Sequence, residues 1–219
     1  MQQRHTFDVA LRELKLKLLN MGGDVQEAIR KAIEALVKFD FDIAKQVVDG
    51  DRKVNLQDHE IEDLSIRLIA TQQPVAGDLR KIVAAMRIST DLERMADNAV
   101  DIAKMVLRMN NGQALIKPLI DIPKMGEMVD EMISDALNAY IDNDAELALK
   151  LAKSDDLVDR LYRNVLTELF QLAGERPETI SQAMSLSFVG RHLERIGDHA
   201  TNIGESVIYI ISGERSDLN

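Results

Sequence analysis

The sequence contains no cysteine, no tryptophan and only four prolines among its 219 residues. Without cysteine it can form no disulfide, no thiolate metal site and no thiol nucleophile. Aromatic residues make up only 4% of the chain, so aliphatic side chains and methionine must fill the hydrophobic core. This composition favours helices, because glycine and proline are too scarce for a loop-rich β protein.

Long apolar runs are also missing. No stretch of about 18 apolar residues occurs, so we expect no membrane span. The amphipathic N-terminal segment lacks the uncharged apolar core of a signal peptide. A formal net charge of −10 argues against general binding to a nucleic acid backbone. These features predict a cytoplasmic protein that has no nucleic acid partner and is peripheral to a membrane at most.

Apolar residues recur at intervals of three and four along most of the chain, which is the period of an amphipathic helix. The pattern predicts six long helices. Their approximate bounds are residues 7–39, 40–70, 74–109, 123–140, 144–172 and 177–211. The first helix contains Gly22 and Gly23, and we expect it to continue through them because another helix packs closely there.

Cap and turn residues separate these helices. Asp40 is the predicted N-cap of the second helix. Asn143, with Glu146 three residues later, has the capping-box pattern at the start of the fifth. Pro74 and Pro177 are predicted to lie in the first turns of the third and sixth helices.

The chain repeats itself. A shift of 101 places LERMADNAVDIAKMVL (92–107) on LERIGDHATNIGESVI (193–208), with identical residues at 7 of 16 positions. A shift of 104 places DRKVN (51–55) on DDLVD (155–159). This duplication predicts an all-α fold of two tandem three-helix bundles related by an internal repeat. We place the two domains at residues 1–112 and 113–219.

Acidic and amide side chains recur every four residues on the second and third helices of each half. Residues four apart share one helix face, and consecutive helices of a bundle lie side by side, so the strips are expected to meet. We predict these ten side chains as metal ligands: Asp51, Asn55, Glu93, Asp97, Asp101, Asp155, Asp159, Glu194, Asp198 and Asn202.

An oxygen-rich ligand set suits hard cations. Mg²⁺, Mn²⁺, iron and Ca²⁺ are the candidates, Zn²⁺ also stays open, and bridging carboxylates would allow clusters of several ions. The competing interpretation is a solvated acidic face neutralised by salt bridges three residues apart. The pairs available for it are Arg94 with Asp97, Lys104 with Asp101, Arg191 with Glu194, and Arg195 with Asp198.

The histidines and glycines give weaker signals. His5, His59, His192 and His199 lack ligand spacing, and we expect them at the surface or at helix caps. Two glycines of the last helix, Gly197 and Gly204, stand opposite Ala96 and Ala103 in the repeat. We expect them to allow close contact between helices.

The repeated segments LERMADNAVDIA and LERIGDHATNIGE resemble the paired signature of the PhoU family of phosphate-uptake regulators, the accessory proteins of phosphate-specific transport. The segments VVDGDRKVN (47–55), TQQPVAGDLR (71–80) and MGG (21–23) resemble the same family. The resemblance covers nearly the whole chain. The family's acidic metal motif maps to Glu93 and Asp97, with Asp101, and to Glu194 and Asp198. Asn202 departs from it and implies a less charged second site.

The resemblance implies a fold of two three-helix bundles in a cytoplasmic, often dimeric protein that is not an enzyme. It implies an adaptor between the ATPase of the phosphate ABC transporter and the phosphate-sensing histidine kinase. Such an adaptor helps to hold the kinase in its repressing mode and restrains phosphate uptake. Multinuclear metal clusters, including iron clusters, are implied on the acidic motifs.

Two other functions stay open. A metal-dependent enzyme on a helical bundle would use Glu-x-x-His pairs. No such pair occurs, because Leu56, Val189 and Ile196 stand three residues before His59, His192 and His199. A structural scaffold with solvated acidic strips and no metal is the remaining alternative.

Overall fold

A computed structural model describes residues 2–109 and 115–218, with side chains from residue 7 onward. Within them the long helices are α1 (Gln2–Lys38), α2 (Phe41–Gln72), α3 (Ala76–Arg108), α4 (Asp121–Asp142), α5 (Ala145–Glu175) and α6 (Ile180–Ser212). The six predicted helices are therefore confirmed. The predicted domain boundary between residues 112 and 113 lies outside the described residues.

The periodic apolar residues form the core. On α1, the side chains of Leu14, Leu18, Met21, Val25 and Ile29 are at most 1% exposed, as the spacing predicts for one helix face. Among the helices that the structure describes, none combines the length and the apolarity needed to cross a bilayer.

One of the two predicted caps is confirmed and the other is wrong. Asp40 caps α2 by accepting hydrogen bonds from the backbone amides of Asp42 and Ile43. At the start of α5 the cap is Asp144, which accepts from the amides of Glu146 and Leu147. Asn143 instead ends α4 in the left-handed conformation, with φ 52° and ψ 47°. Asparagine tolerates this conformation better than most residues, which explains why Asn143 ends α4 and the next residue, Asp144, caps α5.

Neither Pro74 nor Pro177 lies in the first turn of an α-helix, where each was predicted. Left-handed Gln73, with φ 45°, ends α2, and extended Val75 precedes α3. Pro74 therefore lies in the connection and not in the first turn. Pro177 opens a short 3₁₀ turn (Pro177–Thr179), after which α6 begins.

Helix α1 continues through its two glycines, as predicted. A β-carbon on Gly22 would collide with the side chain of Leu137 on α4, whereas a β-carbon on Gly23 would meet no other atom within 4 Å. Close packing by another helix therefore explains Gly22 but not Gly23.

Helices α1, α2 and α3 pack into one bundle, and α4, α5 and α6 pack into the other. The bundles contact each other through α3 with α6, which is the most extensive pairing, and through α1 with α4. Both pairings join helices that are equivalent in the sequence repeat. Contacts between equivalent elements are what an approximate two-fold axis requires, so the duplicated halves assemble like a symmetric dimer within one chain.

Candidate metal centres

The acidic strip of the second half assembles between α5 and α6. Burial raises the pKa of Asp155 and the charges of Asp198, Asp159 and Glu194 add to the effect, which together bring it from 3.8 to about 7. Burial and the neighbouring carboxylates also raise the pKa values of Glu194 and Asp198. The predicted meeting of the two strips in this half is therefore found. Four carboxylates that repel one another lie together there, in a site that would be stabilised by positive charge.

Two glycines of α6 permit this approach. A β-carbon on Gly197 would lie 2.6 Å from Oδ1 of Asp155. A β-carbon on Gly204 would lie 2.8 Å from Cδ1 of Leu151 and 3.1 Å from the backbone carbonyl oxygen of Ala148. The prediction that these glycines allow close helix contact is confirmed.

The strip of the first half assembles in the same way between α2 and α3. Burial raises the pKa values of Glu93 and Asp97, and each is raised further by other carboxylates, among them Asp51. Here the amide of Asn55 donates a hydrogen bond of 3.0 Å to Oδ2 of Asp51. In the second half the equivalent residue is the carboxylate Asp159. The first cluster therefore has one carboxylate fewer, and a neutral hydrogen-bond donor takes its place.

Several oxygens of both clusters are buried and have no hydrogen-bond partner. They are Oδ1 of Asp51, Oδ1 of Asn55, Oδ1 of Asp155 and Oε2 of Glu194. Buried acceptors without a donor are costly, and carboxylate and amide oxygens are the ligands that hard cations prefer. The donor set therefore fits a cation in each half.

The side chains are not yet arranged as a coordination sphere. Within the described residues, no three acidic or histidine side chains converge in a way that would hold a metal ion. Metal binding would thus require these flexible side chains to turn inward on a rigid helical frame.

Two of the predicted ligands point away from these clusters. Asp101 pairs with Lys104 at 3.0 Å, and the amide of Asn202 donates to Oδ1 of Asp91 on the other bundle at 3.1 Å. A spacing of four residues advances about 40° around a helix, so the third member of each strip rotates toward the interface between α3 and α6. The departure of Asn202 from the acidic motif consequently does not make the second cluster the less charged one.

One acidic residue near the first cluster was absent from the predicted set. Asp58 on α2 contributes more than Asp51 does to raising the pKa of Glu93. It lies seven residues after Asp51, a spacing that returns to nearly the same helix face. An interval of four residues from Asp51 does not include it.

Salt bridges account for only part of the acidic surface. Three of the four expected pairs form: Arg94 with Asp97 at 3.6 Å, Lys104 with Asp101, and Arg191 with Glu194. Arg195 forms no ion pair with Asp198 in the part of the chain that the structure describes. Nor does any described lysine, arginine or histidine pair with Asp51 or Asp155. The innermost carboxylate of each cluster thus lacks a cationic partner.

The histidines of α6 were not predicted to join the two bundles. Nδ1 of His199 lies 3.0 Å from Oδ1 of Asp91, and Nδ1 of His192 lies 2.9 Å from Oδ1 of Asn98. The expectation of surface or capping roles is therefore wrong for both. His59 is exposed, as expected. The side chain of His5 lies outside the described residues.

These features define a class of protein: a duplicated all-α chain with an acidic cluster in each half. The family model described as "PhoU domain" matches twice, at residues 18–106 and 122–207. The chain belongs to the PhoU family, as the resemblance implied.

Known relatives agree over nearly the full length. The chain is 42% identical over 217 residues to the phosphate-specific transport system accessory protein PhoU homolog of Clostridium acetobutylicum, covering 99% of each chain. The crystal structure of PhoU from Pseudomonas aeruginosa superposes with a TM-score of 0.90 at 36% identity, covering 95% of this chain and 100% of that one. The phosphate transport system regulatory protein PhoU from Streptococcus pneumoniae gives 0.90 at 32%, covering 96% and 99%.

Proposed function

We propose that the chain is an accessory protein of a phosphate-specific transport system and a negative regulator of phosphate uptake. The observation that carries this proposal is the 42% identity over 99% of both chains to a relative with that accessory name. The finer role is that of an adaptor. It links the ATPase of the phosphate ABC transporter to the phosphate-sensing histidine kinase and helps to repress the starvation response when phosphate is ample.

The proposed action is binding and not catalysis. Support comes from the names of the relatives, which describe accessory and regulatory proteins, and from the absence of Glu-x-x-His pairs in the sequence. The family resemblance further supports a cytoplasmic homodimer. Light scattering on the purified protein would test the dimer, and fractionation of cells would test the location.

A deletion strain tests the regulatory role. Loss of the chain should leave the phosphate-starvation response active and phosphate uptake high in phosphate-rich medium, and the wild-type gene should restore repression. Affinity capture from phosphate-rich cells should recover the transporter ATPase and the sensor kinase. Normal repression in the deletion strain, or capture of neither partner, would contradict the proposal.

The acidic clusters are the proposed cation sites. Asp155, Asp159, Glu194 and Asp198 would hold a cation in the second half, and Asp51, Asn55, Glu93 and Asp97 in the first. A bound cation would supply positive charge to carboxylates that otherwise repel each other and satisfy their buried oxygens. Iron clusters are one form, and Mg²⁺, Mn²⁺, Ca²⁺ and Zn²⁺ are others.

Elemental analysis tests the metal assignment. Protein expressed in iron-replete medium should contain metal, and the Asp97→Ala and Asp198→Ala variants should each contain less. Asp63→Ala is the matched control, because Asp63 is an exposed aspartate of α2 outside both clusters. Equal and negligible metal in all four proteins would favour the scaffold without metal. Oxidase activity of metal-loaded protein would instead favour the enzyme.

A further inference from the structure

A groove of about 710 Å³ runs between α3 and α6, away from both acidic clusters. The C-terminal segment after α6 forms one of its walls, because Arg215 and Ser216 line it. That segment is held against α6: the backbone amide of Leu218 donates a hydrogen bond of 2.9 Å to Oε1 of Glu205. The volume lies within the range of small-molecule sites, about 300–1,000 Å³.

Two arginines, Arg87 and Arg215, line the groove together with the carboxylates of Asp91 and Glu205. The guanidinium of Arg87 is half-buried and lies over the ring of Tyr209, 5.5 Å from its centroid. Neither Arg87 nor Arg215 forms an ion pair with any carboxylate among the described residues. Unpaired arginines bind phosphate and carboxylate groups with two parallel hydrogen bonds. This end of the groove therefore suits an anionic group.

The rest of the groove differs in chemistry along its length. Met86 and Val83 give an apolar wall beside the Tyr209 ring. About one helical turn after Arg87 on α3 lies the carboxylate of Asp91, which already accepts from His199 and Asn202. Ser216 adds a buried hydroxyl that has no hydrogen-bond partner. A ligand would thus meet cations, an aromatic and apolar surface, and a hydrogen-bond acceptor within one groove.

This arrangement is not a by-product of the duplication. Under the shift of 101 residues, Arg87 corresponds to Phe188 and Tyr209 corresponds to Arg108. Phe188 is 48% exposed. The equivalent pair is therefore also an arginine of α3 and an aromatic residue of α6, but among the described residues Arg108 does not lie over the ring of Phe188 as Arg87 lies over that of Tyr209. The contact between arginine and aromatic ring is thus formed at one of the two positions only.

We propose that this groove binds a nucleoside phosphate. Its phosphate lies at Arg87 and Arg215, its base stacks on Tyr209 and Met86, and its hydroxyl groups donate toward Asp91. Stacking on an aromatic ring and hydrogen bonding of ribose hydroxyls to a carboxylate are common in nucleotide sites. Inorganic phosphate would use only the two arginines, and a nucleoside would use only the remainder.

Calorimetric titration of the full chain separates these contributions. The protein is first stripped of metal and kept in chelator, so that phosphate groups cannot bind through cations on the acidic clusters. AMP, adenosine and inorganic phosphate are then titrated. AMP should bind at least about tenfold more tightly than either fragment, because it alone contacts both the arginines and the aromatic surface.

Variants locate the site. Arg87→Gln and Arg215→Gln should each weaken AMP binding about tenfold, since each removes one charge-assisted contact to phosphate. Arg215 is exposed, so its replacement cannot act by unfolding the protein. Arg108→Gln is the matched control, because it removes an arginine from the C-terminal end of α3, outside the lining of the groove, and should leave binding unchanged.

Three results would overturn the proposal. The first is no binding of AMP up to millimolar concentration. The second is binding of phosphate or adenosine as tight as that of AMP. The third is binding of AMP to the Arg87→Gln and Arg215→Gln variants as tight as to the wild type.

Discussion

His199 and Asp91 join the two bundles, with Nδ1 of His199 lying 3.0 Å from Oδ1 of Asp91. The second such contact, between His192 and Asn98 at 2.9 Å, is its counterpart. The shift of 101 residues that relates the two halves converts Asp91 to His192 and Asn98 to His199. The two contacts therefore exchange under the repeat, as they would across a two-fold axis.

Removing Asp91 should weaken the junction between the bundles. Asp91→Ala leaves His199 and the amide of Asn202 without their shared acceptor, and we expect the free energy of unfolding to fall by about 1–3 kcal/mol. Urea unfolding followed by circular dichroism measures this. Asp63→Ala, an exposed aspartate of α2, is the control and should change stability by less than about 0.5 kcal/mol. Equal effects of the two variants would show that the contact contributes nothing.

The fold could be predicted from the sequence because each helix buries one apolar stripe, and such a stripe is visible in the spacing of residues such as Leu14, Leu18 and Met21. The packing of the two halves against each other could not be predicted in this way, since helix periodicity does not specify which helices pair. A signal was nevertheless present. Asp91 and His192 are equivalent in the repeat, as are Asn98 and His199, so an antiparallel pairing of α3 with α6 matches each acceptor to a histidine.

The stability of the metal-free protein should depend on the protonation of Asp155. Its pKa is about 7 in the folded protein against an ordinary value of 3.8, so the folded state retains a proton that the unfolded state releases. Stability should therefore fall as the pH rises from about 4 to about 7. Because Asp155 is only half-buried, solvent screening reduces the effect to about 1–2 kcal/mol. Thermal melts of chelator-treated protein across this range measure it.

The Asp155→Asn variant isolates this contribution. It should show a smaller decline in stability, whereas Asp63→Asn, at an exposed position of α2 outside both clusters, should retain the full decline. The comparison is needed because His192 also titrates in this range. Burial lowers its pKa, so below about pH 6.5 the unfolded state binds a proton more readily than the folded state. This lowers stability as the pH falls, which is the opposite direction to the effect of Asp155. Identical pH profiles for the wild type and Asp155→Asn would refute the assignment.

The glycines of the bundles should respond differently to alanine. At Gly204 a β-carbon would lie 3.1 Å from the backbone carbonyl oxygen of Ala148, which cannot move without shifting α5. Gly204→Ala should therefore destabilise the protein by about 1–3 kcal/mol. Gly23→Ala meets open space and should stabilise α1 by about 0.5–1 kcal/mol. Chemical denaturation of both variants checks the two signs, and a stable Gly204→Ala protein would contradict the close packing.

The candidate site was predictable only in part. Intervals of four residues identify the strips, but each such step advances about 40° around the helix. Over two steps this carries Asp101 to Lys104 and Asn202 to Asp91. Only the first two residues of each strip therefore face the acidic cluster. The contrast between the halves lies in Asn55 and its counterpart Asp159, which the alignment shows, but only the structure shows that Asn55 donates a hydrogen bond to Asp51.

Exchanging that pair of residues should change the relative cation affinity of the two clusters. Asp159 adds a charge beside Asp155 in the second half, whereas Asn55 donates a hydrogen bond to Asp51 in the first. We expect the second cluster to bind Mn²⁺ more tightly. Asp159→Asn should weaken that binding by about tenfold or more, and Asn55→Asp should strengthen binding in the first half, because ligand charge sets cation affinity. Calorimetric titration of metal-free protein with Mn²⁺ measures both. If Asp159→Asn binds Mn²⁺ like the wild type while Asp198→Ala does not, Asp159 does not contribute to cation binding and the prediction is wrong.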